Sequence, residues 1–390
     1  MIPIAKPYFG EEERLAVQQP LETGWVVQGP HVERFERLFT DYTGAPHAVA
    51  TSSCTTALHV AVEALGIERG DEVVVPAFTW VSTANIVELS GGRPVFCDVD
   101  LATFNASPAA IEGAVSDRTV GMIPVHLFGL CAELGPVLQL ARERGLWVVE
   151  DAACALGSYV DGAHAGTLGD AGCFSFHARK LITTGEGGMI TTARDDLAGL
   201  SRSLRDHGAS RSDFQRHSDG SLLLSEHDIV GFNVRLTDIQ GALGCAQMER
   251  VEWIVERRQA LAARYDEALA GVEWLRTPAV PEGYVHSYQA YVCLFAPEEP
   301  TLENVDELHR MRNRLMDDLH ERGISTRQGT HAAVLQNVYA RKYDLRPEQF
   351  PNAYVADRLT LALPLYPQLT EAEQETVIDA LAQGWRAIAA

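Results

Sequence analysis

The sequence predicts an α/β protein: a mostly parallel sheet covered by helices, followed by a smaller α+β domain. Three observations carry that expectation. Over the first 245 or so residues, short β-branched runs alternate with helical periodicity, which is the pattern of strands joined by crossover helices. Beyond Thr237 the texture changes to long helical stretches around one extended segment. The 390 residues also suit two domains at roughly 150 residues each, so the division is expected near 1–245 and 246–390.

The elements follow in order. Ser52 and Ser53 can cap a helix, and Ala57, Leu58, Ala61, Val62 and Leu65 then repeat at helical spacing until Gly66 stops it. Strands are expected at 73–76, 94–98, 121–125, 146–150, 172–176 and 188–191. Several end in a polar residue. Open α/β sheets bind ligands beyond the carboxyl ends of their strands, so Asp98, His126 and Asp151 are the first places to look for a site. Residues 207–231, rich in Ser, His and Asp, read as a long surface loop. A long helix is expected over about 237–270, an extended stretch at Tyr284–Phe295, an amphipathic helix at 303–322 and a last helix at 370–388.

Composition narrows the function classes. With 32 Lys and Arg against 53 Asp and Glu the formal charge is −21. That balance argues against broad binding to nucleic acid or anionic lipid, both of which need a basic face. No apolar run is long enough to span a bilayer, and the amino-terminal residues do not read as a secretory signal. Seven cysteines, none in a CxxC pair, fit reduced thiols in a cytoplasmic protein, and no metal site is expected.

Lysine usage points to chemistry. Of the 32 basic residues only Lys6, Lys180 and Lys342 are lysine. Lys6 and Lys342 lie in polar surroundings, but Lys180 follows a buried-strand pattern and precedes Thr183-Thr184-Gly185-Glu186-Gly187-Gly188. A lysine desolvated in such a turn can lose its proton and serve as an amine nucleophile, which arginine cannot. Asp151 ends the strand pattern LWVVE; it either caps a following helix or supplies a carboxylate beside small residues that admit a flat ligand. The run Thr51-Ser52-Ser53-Cys54-Thr55-Thr56 is either a plain helix cap or an anion cradle. Trp80 suits a core position or a stacking platform equally. Taken together, an amine, a carboxylate, a phosphate cradle and an aromatic ring are what pyridoxal 5'-phosphate requires.

The segments GDEVVVPAFTWVSTAN, IPVHLFG, VVEDAACALG, DAGCFSFHARKLITTGEGGMI and VGFNVRLTDIQGALGCAQ, in that order, resemble the DegT or StrS type of sugar aminotransferase, pyridoxal phosphate enzymes of fold type I. The resemblance runs from Ile4 to about Val377. It implies a large three-layer domain with a mostly parallel sheet, a smaller α+β carboxyl-terminal domain, and a homodimer with its active sites at the subunit interface. It further implies that Lys180 is the Schiff-base lysine, that Asp151 meets the pyridinium nitrogen, and that Trp80 stacks on the ring. Ser175, Thr55 and the backbone at Cys54 would hold the phosphate, with Asn233 arriving from the neighbouring subunit. Three departures stand out: Cys154 replaces a common glutamine beside the cofactor hydroxyl, Cys54 replaces a glycine, and Gly323–His331 replaces a tyrosine-proline-histidine type of segment.

The activity so implied moves an amino group from an amino acid, by resemblance glutamate, to a keto sugar on a nucleotide diphosphate, through pyridoxamine phosphate. Arg235, Arg327 and His331 are candidates for the substrate side. The alternatives are transfer to a cyclitol ketone, a pyridoxamine phosphate-dependent sugar dehydratase, against which Lys180 argues, and a non-catalytic regulator on the same fold.

Overall fold

The computed structural model describes residues 1–218 and 224–389. Seven strands form the main sheet: β1 (His47–Thr51), β2 (Glu72–Pro76), β3 (Arg93–Cys97), β4 (Thr119–Met122), β5 (Trp147–Asp151), β6 (Ala171–Ser175) and β7 (Gly188–Thr192). Their spatial order is β1-β7-β6-β5-β4-β2-β3. Pairs β2–β3, β2–β4, β4–β5 and β5–β6 are parallel, whereas β7 runs antiparallel to both β6 and β1. Six strands therefore sit where the sequence pattern puts them, within a residue or two at most boundaries. β4 ends early because Pro124 has no N–H to continue the ladder. The line is carried on by the amide of Asp151 donating to the Pro124 carbonyl (2.9 Å) and by His126 donating to the Asp151 carbonyl (3.0 Å).

Between β1 and β2 runs the helix Cys54–Ala64, capped as expected: the Ser53 hydroxyl accepts the Thr56 amide at 3.2 Å. Gly66, at φ 79°, ends that segment in the left-handed region that glycine adopts without strain. The helix buries Ala57, Leu58, Val60, Ala61 and Val62 against the sheet residues Val49, Val73, Val75 and Ile190.

The expected helix over 237–270 is two helices, Asp238–Met248 and Val251–Leu269. The apolar spacing runs through the joint, so the sequence pattern hides it. At the break Arg250 leaves helical geometry (φ −122°, ψ 11°) and pairs with Glu12 (2.7 Å) and Glu13 on the amino-terminal helix Glu11–Ala16. The expected extended stretch also divides. Tyr284–Val285 pairs with Tyr159–Val160 of a small hairpin, and Tyr291–Phe295 is the middle strand of a three-stranded antiparallel sheet with Leu275–Arg276 and Thr360–Leu363.

That sheet packs on the helices Val251–Leu269, Val305–Glu321 and Glu371–Ala389 around Tyr265, Tyr291, Phe295, Leu315, Leu361 and Leu381. Arg258 is buried at the edge of this core. One of its terminal nitrogens donates to the carbonyls of Tyr288 (3.1 Å), Gln289 (3.1 Å) and Leu365 (3.2 Å), and burial lowers its pKa to about 10. Residues 207–231 are mostly irregular, as expected, with a short helix Asp213–Ser218 and a backbone bridge from Ala209 to His227; residues 219–223 of that stretch lie outside the described residues.

Candidate active site

Because β7 runs against its neighbours, its first residue lies at the same sheet edge as the last residues of β1, β5 and β6. Register makes this concrete: Ser175 pairs with Gly188, and Gly188 pairs with Thr51 on the other side. A side chain at Gly188 would press within 2.4 Å of the Ser53 carbonyl group and 2.7 Å of the Cys54 nitrogen. Glycine therefore lets the strand abut the amino end of the helix Cys54–Ala64. The result places the Ser175 hydroxyl, the Thr55 side chain and the free amides of that helix end along one short stretch of edge. Thr55 is exposed, and Cys54, in helical geometry with no positive φ, is buried with its sulfur 3.6 Å from the Cys173 carbonyl.

One strand over, Asp151 pairs in register with Cys173. No helix follows it, so it is not a helix cap. Its Oδ2 accepts the Thr83 hydroxyl at 2.7 Å and its Oδ1 accepts the Ala153 amide at 3.2 Å, which turns the chain back and delivers Cys154. Burial raises the Asp151 carboxyl above the usual carboxylate range, opposed by Thr83, the Ala153 amide and the charges of Lys180 and His126.

Lys180 completes the centre. Its amide donates to the His177 carbonyl (2.8 Å), and its Nζ lies 3.0 Å from the Cys154 sulfur. Burial alone would favour the neutral amine, as the sequence reading expects of a desolvated lysine. Cys154, Cys54 and Asp151 outweigh it, however, and hold the Lys180 amine above the ordinary lysine range. Of the seven free cysteines only Cys154 is not fully buried. Gly185, at φ 83°, closes the loop after Lys180, and its backbone is bridged to His177.

Trp80 is no core residue: 59% of it is exposed, and its ring lies 5.8 Å from the His331 ring at 35°. The Thr79 amide donates to the His331 carbonyl (3.1 Å), so the segment that ends at His331 is pinned beside the tryptophan. At the other end of that segment Arg327 accepts the Ala362 amide (2.7 Å) and has its Nε buried without a partner. Burial lowers the Arg327 pKa, helped by the neighbouring Arg179 charge and opposed by Cys154.

Other expected residues lie elsewhere or do other work. Asp98 is a cap for a distant helix, accepting the amides of Asn352 (3.0 Å) and Ala353 (2.8 Å) at the start of Pro351–Leu359. His126 is a fully buried brace: the Ala132 amide donates to its Nδ1 (2.9 Å), which leaves the proton on Nε2 for Glu150 (2.8 Å). Arg235 is taken up by Asp206. Asn233 is exposed, its backbone bridged to Asp206, next to Val234 whose carbonyl accepts the Ser52 amide (2.8 Å). Thr83 escapes sequence reasoning; a hydroxyl inside a helix pattern carries no signal of its own. Among the described residues no group of His, Cys, Asp or Glu is arranged to hold a metal ion, and no helix is long and apolar enough to cross a membrane.

A seven-stranded sheet with one reversed strand, and a lysine, a carboxylate and a helix amino end along one edge, is the architecture of fold-type I aminotransferases. The chain belongs to the DegT/DnrJ/EryC1/StrS aminotransferase family, whose model matches residues 7–382. It is 35% identical over 380 residues to the spore coat polysaccharide biosynthesis protein SpsC of Bacillus subtilis, covering 97% of this chain and 96% of that protein. Among solved structures, the aminotransferase TlmJ from Streptoalloteichus hindustanus superposes with a TM-score of 0.89 at 34% identity over the whole of both chains. The putative sugar aminotransferase Spr1654 from Streptococcus pneumoniae, in its PMP form, superposes at 0.91 with 27% identity, again over the whole of both.

Proposed function

We propose that this protein is a pyridoxal phosphate-dependent aminotransferase that passes an amino group from glutamate to a keto sugar carried on a nucleotide diphosphate. The observation that carries the reading is the convergence of Lys180, Asp151 and Cys154 at one sheet edge, beside the hydroxyls of Ser175 and Thr55. The donor set fits the cofactor: an amine to bond its aldehyde, a buried carboxylate to face a ring N–H, a helix amino end with free hydroxyls for a phosphate, and an exposed tryptophan face. When bound, pyridoxal phosphate supplies a ring that takes up the electron pair released as the C–H bond beside the substrate nitrogen breaks.

The chain's residues divide the remaining work. Asp151, held by Thr83 and the Ala153 amide, keeps a negative charge against the ring nitrogen, so that nitrogen stays protonated. A partner cation there also relieves the cost of burying Asp151 unpaired. Lys180, once its amine is free, would be the base that removes the proton from the donor α-carbon, and as an ammonium it would return that proton two atoms away, across the nitrogen. Its raised pKa suits the second task, and the hydrogen bond it donates to the Cys154 sulfur (3.0 Å) holds the amine between the two. Ser175, Thr55 and the amides at Cys54 and Thr55 anchor the phosphate. Trp80 would offer its exposed face to the ring.

A homodimer is part of the reading. Asn233 is exposed in the single chain, and so are the apolar side chains of Leu21, Val26, Val27, Ile229 and Val230. A second copy would cover them and close the phosphate end. The test is absorbance of the purified protein with pyridoxal phosphate, for wild type and Lys180→Ala, before and after glutamate. A lysine-dependent visible band that glutamate shifts to the ultraviolet, and that a nucleotide-linked keto sugar restores, is the expected result. A band absent from wild type, or untouched by every amino donor, overturns the proposal.

A further inference from the structure

Six of the seven cysteines are buried. Three of those six turn their sulfurs to backbone carbonyls: Cys54 to that of Cys173, Cys97 to that of Val75 and Cys245 to that of His31. Burial pushes all six thiols up, to about 12 at Cys97, Cys131 and Cys245, away from the thiolate form in which sulfur reacts. Cys154 differs in both respects. It is half-buried, and its sulfur meets a side-chain amine, the Nζ of Lys180, at 3.0 Å.

That contact is fixed by the backbone on both sides. The Ala153 amide donates to Asp151 Oδ1 (3.2 Å), which sets the turn that carries Cys154. The Lys180 amide donates to the His177 carbonyl (2.8 Å), and the Gln289 side chain donates to the carbonyl of Arg179 just before it (2.8 Å). Sulfur and nitrogen are therefore neighbours by construction, and the flexible four-carbon stem of the lysine allows the last approach. The proton between them belongs to the pair: thiolate with ammonium and thiol with amine have the same composition.

We propose that Cys154 and Lys180 are a peroxide-sensitive pair, oxidised to a sulfur–nitrogen cross-link that takes the lysine amine out of use and opened again by thiols. In the first step the Cys154 thiolate attacks one oxygen of hydrogen peroxide. An S–O bond forms and the O–O bond breaks, sulfur is oxidised by two electrons and the peroxide is reduced; the leaving hydroxide takes a proton from the Lys180 ammonium and departs as water. Cys154 is now a sulfenic acid, and the same proton transfer has made Lys180 a neutral amine. In the second step that amine attacks the sulfur: an S–N bond forms, the S–O bond breaks, and the hydroxide leaves as water with a proton from the nitrogen. A sulfenic acid condenses with whichever thiol or nitrogen lies nearest, and here that is the amine, since the Cys54 sulfur faces the Cys173 carbonyl. Two external thiols reverse the bond. The first breaks S–N and returns a proton to the nitrogen, the second releases Cys154 as a thiol, and their own sulfurs are oxidised to a disulfide. The effect on catalysis rests on the aminotransferase reading, because a capped Lys180 has no primary amine for the cofactor aldehyde. The cross-link itself does not rest on it.

In the experiment, the full chain, reduced and then freed of reductant, is treated with hydrogen peroxide in the presence and absence of pyridoxal phosphate, digested without reductant and mapped by mass spectrometry. The expected product is a cross-linked species about 2 Da lighter than the sum of the peptides that carry Cys154 and Lys180, which dithiothreitol converts back to the two reduced peptides. Lys180→Ala keeps the sulfur and removes the amine, so dimedone should tag Cys154 there as a sulfenic acid, and Cys154→Ser should give no cross-link. A disulfide from Cys154 to another cysteine, a dimedone tag in wild type equal to that in Lys180→Ala, or a Cys154 that peroxide leaves unchanged overturns the proposal. Mapping of the wild type decides the matter even if a variant fails to fold. Saturating pyridoxal phosphate should cut the yield of cross-link about tenfold or more, because the aldehyde competes for the same amine. A cross-link that forms equally with and without the cofactor, in a protein with no lysine-dependent visible band, counts against the aminotransferase reading and leaves the bond between Cys154 and Lys180 standing.

Discussion

Glu150 and Asp151 are neighbours on one strand, both buried, and they face opposite regions of the molecule. Glu150 looks toward the turn that follows the hairpin. It accepts the amides of Gly166 (2.6 Å), Leu168 (2.7 Å) and Gly169 (2.7 Å) as well as His126. Burial would raise its pKa, but His126 and those amides prevail and hold it below the usual carboxylate range. Asp151 looks toward Lys180, receives fewer hydrogen bonds, and burial leaves its pKa raised. The same chemical group is therefore a finished structural part on one face and an unfinished one on the other. A carboxylate left short of donors in a buried place is held there by the rest of the fold, and it gains most from a cationic ligand.

Lys180→Ala tests the unfinished side most severely. Turnover should drop by about 10⁴-fold or more, equivalent to about 5.5 kcal/mol of barrier, while thermal melting of the cofactor-free protein changes little. Asp151→Asn should come next, with kcat/KM down by about 10³-fold, or about 4 kcal/mol, and a visible loss of cofactor affinity. A variant that keeps wild-type turnover would erase the contrast.

On the finished side, Glu150→Gln should cost about 3 kcal/mol of folding stability by chemical denaturation, because one oxygen cannot serve three amides and a histidine. Protein that remains folded should keep its turnover within about a factor of ten. His164, just ahead of those amides, sharpens the point through pH. Its ring accepts the Gly157 amide (2.9 Å), and burial pushes its pKa down to about 4 from 6.5. The neutral ring is the folded form. Its contribution is complete above pH 6.5 and is lost as the pH falls toward 4, so stability at pH 5 should be about 2 kcal/mol below that at pH 7 from this group, and His164→Gln should flatten that slope. Thr83→Val should have the smallest effect, about 1 kcal/mol. It should appear chiefly as a weaker hold on the cofactor and a shifted pH profile of activity, since only the orientation of Asp151 is altered.

How much of this is written openly in the sequence varies with the kind of signal. Strands β2 to β7 and the capped helix after Ser53 are visible because their periodicity and punctuation are local. β1 is not: His47–Thr51 is short, of mixed polarity, and fixed by distant partners, the Glu36 carboxylate at the Ala50 amide (2.8 Å) and Arg205 at the Ala50 carbonyl (2.8 Å). Lys180 and Asp151 stand out through residue usage and strand ends. The same strand-end rule is misleading at Asp98 and His126, where a polar residue at a sheet edge serves a helix amino end and a buried brace. Thr83 matters through a neighbour far away in the chain, Asp151, and no local pattern announces that.

The buried Arg258 has a consequence for Lys180. Its acceptors are neutral carbonyls rather than carboxylates, so this joint is indifferent to ionic strength. One of those carbonyls belongs to Gln289, and the Gln289 side chain holds the peptide in front of Lys180. The path from the joint to Lys180 is two hydrogen bonds and the peptide bond between Arg179 and Lys180. An alteration in the joint would reach Lys180 as a slackened backbone, with no change to the side chains at the sheet edge.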